Sequence, residues 1–282
     1  MIKSEAINRS ISYIMDHLDE DISIDDVAAC CHFSKYHFCR MFKEATGESV
    51  YTFIKRMKMN QSALRLQIEK GKSITDIGLD YGYSSTNYSA VFKKQHEVAP
   101  AQYRKVTQDK YVPSPYYRDG YSGYLPFEEY QKIVTVQQLS DFTVIYERFI
   151  GNYIELADKW GGFIDRYDAY RTDGTLFIER TYDDPSITRL DQCIYDMCMT
   201  VDKDCSLEHI TVIEGGRYAV CPYKGAVAGI YNAFQGMFHC WLPGSGYEMD
   251  QRYGLSIYHV IDSENMYVEM DLCIPVKQSK NS

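Results

Sequence analysis

The chain contains an internal repeat with a period of fifty residues. Residues 33–43 read FSKYHFCRMFK and residues 83–93 read YSSTNYSAVFK, and the two copies align without a gap. Apolar positions match apolar positions, as at Phe42 and Phe92. Two copies are too few for a solenoid, in which several repeats must stack to bury a continuous core. The repeat therefore predicts two copies of one small folded unit within the first hundred residues.

Each copy has the pattern of a helix, a tight turn and a second helix. In the first copy, Ser23 and Asp26 resemble a capping box that begins a short helix, and Ser34 begins the next one. The turn between them is residues 31–33, which is the spacing of a helix-turn-helix unit. A longer helix, predicted over about 49–70, joins the two copies. Such a rigid connection can hold two recognition helices roughly 34 Å apart, one DNA turn, so that both enter major grooves on one side of the duplex.

The distribution of charge favours contact between the first region and a polyanion. The whole chain has a net charge of −9, but residues 1–112 carry +2 and residues 113–282 carry −11. Within the first part, residues 33–72 contain nine basic and three acidic side chains. A basic segment in an acidic chain is typical of a nucleic-acid-binding face. Together with the repeat, it predicts that the first region binds double-stranded promoter DNA.

The candidate DNA contacts point away from the apolar face of each second helix. Arg40 has the forked geometry that reads guanine, and Lys43 can hold a phosphate. The second copy offers smaller polar groups, so we expect the first copy to carry most of the sequence reading. The predicted DNA-binding residues are Ser34, Lys35, Tyr36, Cys39, Arg40, Lys43, Ser85, Thr86, Asn87 and Lys93.

A tyrosine- and proline-rich segment separates this region from the rest of the chain. Residues 111–130 contain three Pro, two Gly and six Tyr, and they follow neither a helical nor a strand period. Because so many aromatic side chains are unusual in a disordered tether, we expect the segment to pack on a domain. The predicted domains are a DNA-binding domain at 1–108, a Tyr/Pro-rich linker at 109–130 and a second domain at 131–277.

The second half contains strand-like and helical segments in an order that occurs twice. The first set is a strand at 143–149, a helix at 154–170 and strands at 176–179 and 193–201. The second set is a bent strand or strand pair at 209–223, a helix at 227–242 and strands at 252–260 and 266–275. Duplicated βαββ units predict one antiparallel sheet with helices on one side and a groove between the halves. The predicted fold class is therefore multidomain, an all-α domain followed by an α+β domain.

Aromatic and acidic side chains in this half suggest a site for an organic cation, which proteins hold through charge and ring faces. Glu269 lies in a strand with aromatic neighbours and is the candidate carboxylate. The candidate aromatic residues of the groove are Tyr153, Tyr195, Tyr223, Trp241 and Tyr258. A groove of this kind can instead hold a peptide or a partner protein. A closed aromatic cavity would favour a small molecule, and a long open groove would favour a peptide.

The sequence offers no set of residues for catalysis. It has no nucleophile with a base and an orienting group, no metal-ligand spacing and no phosphate-binding loop. The nine Cys are scattered without a CxxC pair, and His209, His239 and His259 are isolated. We therefore predict no enzyme activity, no metal and no cofactor. No signal peptide pattern and no apolar run of about 18–20 residues occurs, so we expect a cytoplasmic protein without a membrane partner.

The first region resembles a known family. The segments IDDVAACCHFSKYHFCRMFKEATGESVYTFIKRMKMNQSALRL and ITDIGLDYGYSSTNYSAVFKKQHEVAPAQYRK are similar to the AraC/XylS DNA-binding domain, over about residues 5–106. The resemblance implies base contacts from Tyr36, Cys39 and Arg40 in the first unit. It also implies a transcriptional activator that contacts RNA polymerase. Two tandem units allow a monomer to bind asymmetric DNA, so we expect a monomer or a weak dimer.

The second unit departs from the family pattern at two points. The family has base contacts from the helix that contains Thr86 and Asn87 here. This chain has one residue fewer than usual between Gly82 and Phe92, and Ala90 stands where the family commonly has Arg. Both differences predict weaker base reading by the second unit.

The second half resembles the GyrI-like effector-binding domain over about residues 130–277. The similarity lies in the segments YDDPSITRLDQCIYDMCMTV, GGRYAVCPYKGAVAGIYNAFQGMFHCWLPGSGYEM, LSIYHV and VEMDLCIPV. The resemblance implies a pocket for small amphipathic molecules, often cationic, as in multidrug recognition. The family commonly has Glu at the position of Ser256 and Arg at that of Ile194, which leaves Glu269 as a substitute carboxylate beside Ser256 in the predicted site. A GyrI-like hydrolase is the less favoured alternative.

Overall fold

The computed structural model describes residues 1–108, 110–117, 120, 122–205, 207 and 209–279. The chain divides into two units, Met1–Lys110 and Tyr111–Ser282. The segment that we predicted as a linker therefore belongs mainly to the second unit. Four residues of that predicted segment, Asp109, Arg118, Asp119 and Tyr121, lie outside the described residues. No helix in the described ranges is both long and apolar enough to cross a membrane.

The first unit consists of helices, as the repeat predicted. They are α1 Glu5–Asp16, α2 Ile24–Cys30, α3 Lys35–Thr46, α4 Val50–Ile68, α5 Ile74–Asp80, α6 Ser85–His96 and α7 Pro100–Thr107. The capping box at the start of α2 is present: the Ser23 hydroxyl accepts from the Asp26 N–H, and the Asp26 carboxylate accepts from the Ser23 N–H. Such caps satisfy N–H groups that have no partner within the helix.

The two helix-turn-helix units have matching aromatic cores. In the first, the ring centroids of Phe38 and Phe42 are 5.7 Å apart. In the second, those of Tyr88 and Phe92 are 5.6 Å apart. All four rings are fully buried. The apolar positions that align in the sequence are thus the positions that build both cores. Most other side chains of the two helices remain exposed or partly exposed.

Polar side chains connect helix α4 to both helix-turn-helix units. The Lys58 ammonium donates to the Glu20 carbonyl at 2.7 Å and to the Tyr81 carbonyl at 3.2 Å. Glu20 precedes the first helix-turn-helix unit, and Tyr81 lies in the second. The Gln95 amide of α6 donates to the Asn60 side chain of α4 at 2.7 Å. Because each buried donor has a partner, these bonds fix the helix in place. The connecting helix is thus present at Val50–Ile68, and its rigidity stays a prediction.

The second unit is an α+β domain. Its helices are α8 Phe127–Ile133, α9 Leu156–Tyr167 and α10 Ile230–Gly236. Its strands are β1 Thr135–Leu139, β2 Phe142–Ile150, β3 Phe177–Thr181, β4 Ile194–Thr200, β5 Ile210–Ile213, β6 Gly216–Ala226, β7 Tyr247–Met249, β8 Gly254–Asp262 and β9 Tyr267–Gln278. A π-helical turn, Met237–Trp241, directly follows α10.

The duplicated βαββ order predicted from the sequence is present. The two units are β2-α9-β3-β4 and β6-α10-β8-β9. Among the described residues the sheet order is β1-β6-β9-β8-β3-β4-β2-β5, with β7 paired to β9, and the pairings are antiparallel. The halves join where β3 pairs with β8. The short edge elements α8, β1 and β7 were not predicted, because mostly exposed segments lack a clear apolar period.

A buried ion cluster lies inside the first βαββ unit. The Asp196 carboxylate accepts from the Arg148 guanidinium at 2.7 Å and from the Arg180 guanidinium at 2.7 Å. The Tyr182 hydroxyl also donates to Asp196, at 2.7 Å. Burial acts to raise the pKa of Asp196, but the two arginines hold it below its ordinary value. These charges are paired and fully hydrogen-bonded, so they are structural.

Candidate functional site

The outward face of α3 presents the groups predicted to contact DNA. Tyr36 is 82% exposed, and Arg40 and Lys43 are also exposed. The Lys35 ammonium forms an ion pair with Asp25 at 2.7 Å, which offsets part of its charge. Cys39 is only half-buried and lies beside Arg40 in sequence. This face therefore combines an aromatic ring with two cations that have room to approach a duplex.

The corresponding face of α6 is exposed but carries less charge. Ser85, Thr86, Asn87 and Lys93 are all exposed. At the start of the first recognition helix, the Ser34 side chain makes no capping hydrogen bond. Apart from Cys39, the predicted contact residues on the two helices are exposed, and their contacts with DNA remain predictions.

In the second unit, the junction of β3 and β8 lies between the contacts that α9 and α10 make with β8; we call this region the central groove. On β8, the Phe234 ring of α10 packs so closely over Gly254 that a Cβ there would lie 2.9 Å from the ring. Four residues further along β8, the Trp160 ring of α9 lies 5.7 Å from the Tyr258 ring. Because Gly254, Ser256 and Tyr258 share one face of the strand, Ser256 lies between the two helices' aromatic contacts.

Glu179 is the direct neighbour of Ser256 across the junction of the halves. In the register of β3 and β8, Glu179 pairs with Ser256 and Phe177 pairs with Tyr258. Glu179 therefore projects from the same face of the sheet, into the central groove. The Tyr258 hydroxyl donates to its carboxylate at 2.9 Å. A carboxylate thus occupies the place opposite the position where the sequence lacks the usual Glu.

The environment of Glu179 is unusual for a carboxylate. Its side chain is buried, and burial raises its pKa to about 7, an effect that the hydrogen bond from Tyr258 only partly opposes. Three acidic side chains are buried in the part of the chain that the structure describes: Glu147, Glu179 and Asp196. Glu147 pairs with Arg166 at 2.6 Å, and Asp196 pairs with arginines. Within the same described residues, Glu179 has no ion pair.

Aromatic rings surround this carboxylate. The rings of Tyr153 and Tyr195 are 4.9 Å apart, and Trp160 packs on Phe177 at 6.1 Å as well as on Tyr258. Burial raises the pKa of Tyr153 and Tyr195, and the charge of Glu179 adds to both rises, so it acts on both hydroxyls. The buried Trp160 indole N–H has no hydrogen-bond partner among the described residues. A ligand in the groove would therefore meet one carboxylate, several aromatic ring faces and the indole N–H of Trp160.

The structure brings together some of the predicted effector residues and not others. Tyr153, Tyr195, Ser256 and Tyr258 lie in or beside the central groove. Tyr223 shares the face of Tyr258 but lies two strands away, where its hydroxyl donates to the Ala226 carbonyl at 2.6 Å. Trp241 is buried against Tyr247, with ring centroids 6.2 Å apart.

The position of Glu269 corrects the expectation that it replaces the family carboxylate. Strand β9 places Leu272 opposite Ser256, so Leu272 faces the groove, and Glu269 is on the other face because it is an odd number of residues away. Its carboxylate pairs with Lys224 and accepts from the Tyr267 hydroxyl at 3.1 Å. It therefore lies outside the central groove.

Sequence reasoning missed Glu179, Trp160 and Phe177. The alternation of Phe177 and Glu179 on a short strand was readable. The pairing of β3 with β8, which places Glu179 opposite Ser256, joins residues that are 77 positions apart and leaves no local pattern. No feature of the sequence alone would have selected this carboxylate among the many acidic residues of the second half.

The comparisons with known protein families cover both units. Residues 133–277, about half of the chain, match a family model described as a GyrI-like small molecule binding domain. Residues 27–106 match a model described as a helix-turn-helix domain. The two matches correspond to the regions that the sequence resemblance indicated.

Several curated regulators are similar to this chain. Transcriptional regulator Rob of Salmonella typhimurium is 34% identical over 109 residues, which are 38% of this chain and 37% of Rob. The right origin-binding protein of Escherichia coli K12 is 35% identical over 106 residues, 37% of this chain and 36% of that protein. The match thus spans little more than a third of these two relatives.

Regulatory protein SoxS of Escherichia coli K12 is matched over nearly its whole length. It is 31% identical over 105 residues, which are 37% of this chain and 97% of SoxS. A match of this extent to a complete regulator, together with the two domain matches, shows the family. The chain belongs to the AraC/XylS family of transcriptional regulators and carries a GyrI-like small molecule binding domain.

Proposed function

We propose that this protein binds promoter DNA through its two helix-turn-helix units and alters transcription when a small amphipathic cation occupies the central groove. In this proposal it acts in the cytoplasm, as an activator that contacts RNA polymerase, and one copy suffices for each asymmetric site. The regulators to which it is similar support the DNA-binding part. The ligand-binding part is supported by the geometry of the second unit.

The single observation that carries the ligand proposal is the buried carboxylate of Glu179, which has no ion pair among the described residues. Its pKa is raised to about 7, so it is largely ionised only above neutral pH. Relative to its ordinary value, holding it charged without a cation costs on the order of 3 kcal/mol. A bound cation offsets that cost, as Arg166 does for Glu147 elsewhere in the domain. The groove thus favours a positive ligand over a neutral one of the same shape.

The surrounding side chains favour a flat or aromatic ligand. Tyr153, Tyr195, Tyr258 and Trp160 offer ring faces to an organic cation, an attraction that grows when water is excluded. A ligand changes the output of a regulator only if it binds two states of the protein unequally. The ligand that this site selects is therefore an amphipathic cation with ring-sized apolar surface.

The proposal is tested with tetraphenylphosphonium as the cationic probe and the full-length protein, by isothermal titration calorimetry. Triphenylphosphine oxide is the neutral counterpart. We expect binding of the cation, and a loss of about tenfold or more in its affinity in Glu179→Gln, because the ligand charge loses its partner. Glu269→Gln is the matched control, since that carboxylate pairs with Lys224 outside the groove.

Two results would count against the cation proposal. One is equal affinity of the wild-type protein for the cation and the neutral compound. The other is a loss in Glu269→Gln with no loss in Glu179→Gln. In either case the groove would better fit a neutral ligand or a protein segment.

A further inference from the structure

The tyrosine-rich segment that precedes the sheet domain contacts the central groove. The Tyr116 ring lies 6.0 Å from the Tyr153 ring, which in turn packs on Tyr195. Burial raises the pKa of Tyr116 well above its ordinary value, and Cys193, Asp184, Tyr231 and Glu179 add to the rise. The Tyr116 hydroxyl is therefore within electrostatic reach of Glu179. A ligand that packs on Tyr153 would therefore meet this ring.

The same segment is held on the other half of the domain. The Tyr124 ring stacks on His239, with centroids 5.6 Å apart and an interplanar angle of 3°. The Asn232 side chain donates to the Gly123 carbonyl at 3.3 Å. Because His239 and Asn232 belong to the second βαββ unit and Tyr153 to the first, Tyr116 contacts one half of the domain, and Gly123 and Tyr124 contact the other.

A local turn directs Tyr116 toward the groove. The Ser114 hydroxyl oxygen accepts from the N–H groups of Tyr116 and Tyr117, each at 3.2 Å. The Val112 N–H donates to the Tyr124 hydroxyl at 2.9 Å, which links the two ends of the segment. Turns of this kind, closed by a serine side chain, fix the direction of a short peptide. The position of Tyr116 is thus built by its own segment.

The buried position of Tyr116 leaves one of its polar groups without a hydrogen bond. Its hydroxyl is buried and has no hydrogen-bond partner among the described residues. A buried polar group without a partner weakens the state that contains it. A ligand that places a cation beside Glu179 and a ring against Tyr153 would replace this contact with a better one. These properties are those expected of a side chain that a ligand can displace.

We propose that Tyr116 is an internal competitor of the effector, which fills one end of the central groove in the ligand-free protein and leaves it when a cation binds beside Glu179. The inference rests on the proposed function of that groove. It adds a mechanism by which ligand entry frees residues 111–117, the segment that follows the DNA-binding region in the chain. The apparent affinity for ligand is then lowered by the fraction of molecules whose groove is open.

The test measures binding of tetraphenylphosphonium to four full-length proteins by isothermal titration calorimetry. They are the wild type, Tyr116→Ala, Tyr116→Phe and Tyr117→Ala. We expect Tyr116→Ala to bind about tenfold more tightly than the wild type, as for a competitor that keeps most grooves closed. Tyr116→Phe keeps the ring and removes the unpartnered hydroxyl, so it should hold the groove closed more firmly and bind at least about threefold more weakly than the wild type. Tyr117→Ala makes the same deletion at the next residue and should not change the affinity.

Hydrogen exchange of the wild-type protein supplies a second readout. With saturating tetraphenylphosphonium, the amides of Val112, Tyr116 and Tyr117 should exchange faster, because the bonds that protect them are released. Equal affinity of the wild type and Tyr116→Ala, with unchanged exchange in this segment and a clear loss in Glu179→Gln, would overturn the competitor and leave the proposed function intact. Absence of binding in all four proteins would overturn both.

Discussion

The chain contains two duplications, and they have diverged in different ways. In the helix-turn-helix pair, the buried rings are alike and the exposed faces differ: Arg40 and Lys43 stand in the first copy, whereas the second carries small polar groups such as Asn87. In the βαββ pair, the difference lies inside the domain, where Glu179 of the first unit faces Ser256 of the second. In each duplication the two copies have the same frame, by which we mean the same order of secondary-structure elements. These charged groups are concentrated in one copy.

This difference teaches where each function is placed. DNA is an external partner, so divergence on the surface of a helix costs the fold little and changes which bases are read. In the proposed site a small ligand lies at the junction of the two halves, where Glu179 faces Ser256 and a second carboxylate would repel it. The predictions below test whether the two copies contribute equally to stability. They also test whether the charged residues of one copy contribute more to binding than their counterparts in the other.

The largest expected effect concerns the equal frames. Phe38→Ala and Tyr88→Ala each remove a fully buried ring, so each should lower the free energy of unfolding of the first unit by about 3–5 kcal/mol. Urea unfolding followed by circular dichroism measures the loss. Tyr36→Ala is the control, since that ring is 82% exposed and should cost less than about 0.5 kcal/mol. A large loss in only one copy would show that the frames are not equivalent.

The next effect tests the carboxylate by moving it across the strand junction. Glu179→Ser should weaken tetraphenylphosphonium binding by about tenfold to a hundredfold, because the cation loses the buried carboxylate that faces it. Adding Ser256→Glu to this variant places a carboxylate on the neighbouring strand, in the same groove, and should restore most of the affinity. Calorimetry measures both steps. If the double variant binds no better than Glu179→Ser, then the exact position of the charge matters more than its presence in the groove.

The third effect compares the two recognition helices. Arg40→Ala should cost about 1–3 kcal/mol in specific DNA binding and relax the base preference at its contact. Asn87→Ala, in the second copy, should cost less than about 1 kcal/mol, since the exposed face of α6 carries less charge. Fluorescence anisotropy on a selected operator and on single-base variants measures both. An Arg40→Ala loss that is equal for all sequences would instead identify Arg40 as a phosphate contact.

The smallest effect lies in the two turns. Equivalent turn positions hold His32 with φ 60° and Gly82 with φ 79°, both in the left-handed region. His32→Gly relieves a side chain from that region and should stabilise the first unit by at most about 1 kcal/mol. Gly82→Ala, in the second helix-turn-helix copy, should destabilise the first unit by about 1 kcal/mol. Thermal unfolding measures both; a destabilising His32→Gly or a stabilising Gly82→Ala would mean that the two turns are not equivalent.

Much of the first unit could be predicted from its sequence, because local signals decide it. Ser23 with Asp26 fixed the start of α2, and the apolar spacing of Phe38 and Phe42 identified the buried face of α3. The connecting helix was predicted over 49–70 and found at Val50–Ile68. Capping residues and the helical period act over a few positions, so they can be read directly.

The ligand groove could be predicted only in outline, because it depends on long-range pairing. The order of strands and helices gave the duplicated unit and hence a groove between the halves. The choice of carboxylate failed at Glu269, which was judged by its aromatic neighbours, although its face depends on the register of β9 with β8. The contact of Tyr116 with Tyr153 likewise follows from the tertiary fold and not from a local pattern.

The central claim is that the ionised carboxylate of Glu179 binds a cationic effector, and its pH dependence tests it most directly. The measurement is the affinity of the wild type and Glu179→Gln for tetraphenylphosphonium between about pH 5.5 and 8.5. Burial raises the pKa of Glu179 to about 7, whereas the hydroxyls of Tyr153, Tyr195 and Tyr258 have pKa values above 10 and stay neutral in this range.

Because only the charged carboxylate attracts the cation, wild-type affinity should rise with pH, by up to about tenfold per pH unit below 7, and level off above it. The Glu179→Gln profile should be flat. The sign is opposite for folding: the raised pKa favours the protonated folded protein, so this group's contribution to stability is present below its unfolded pKa and is lost as pH rises through 7. A wild-type affinity that does not change across this range, or that changes equally in Glu179→Gln, would contradict the account.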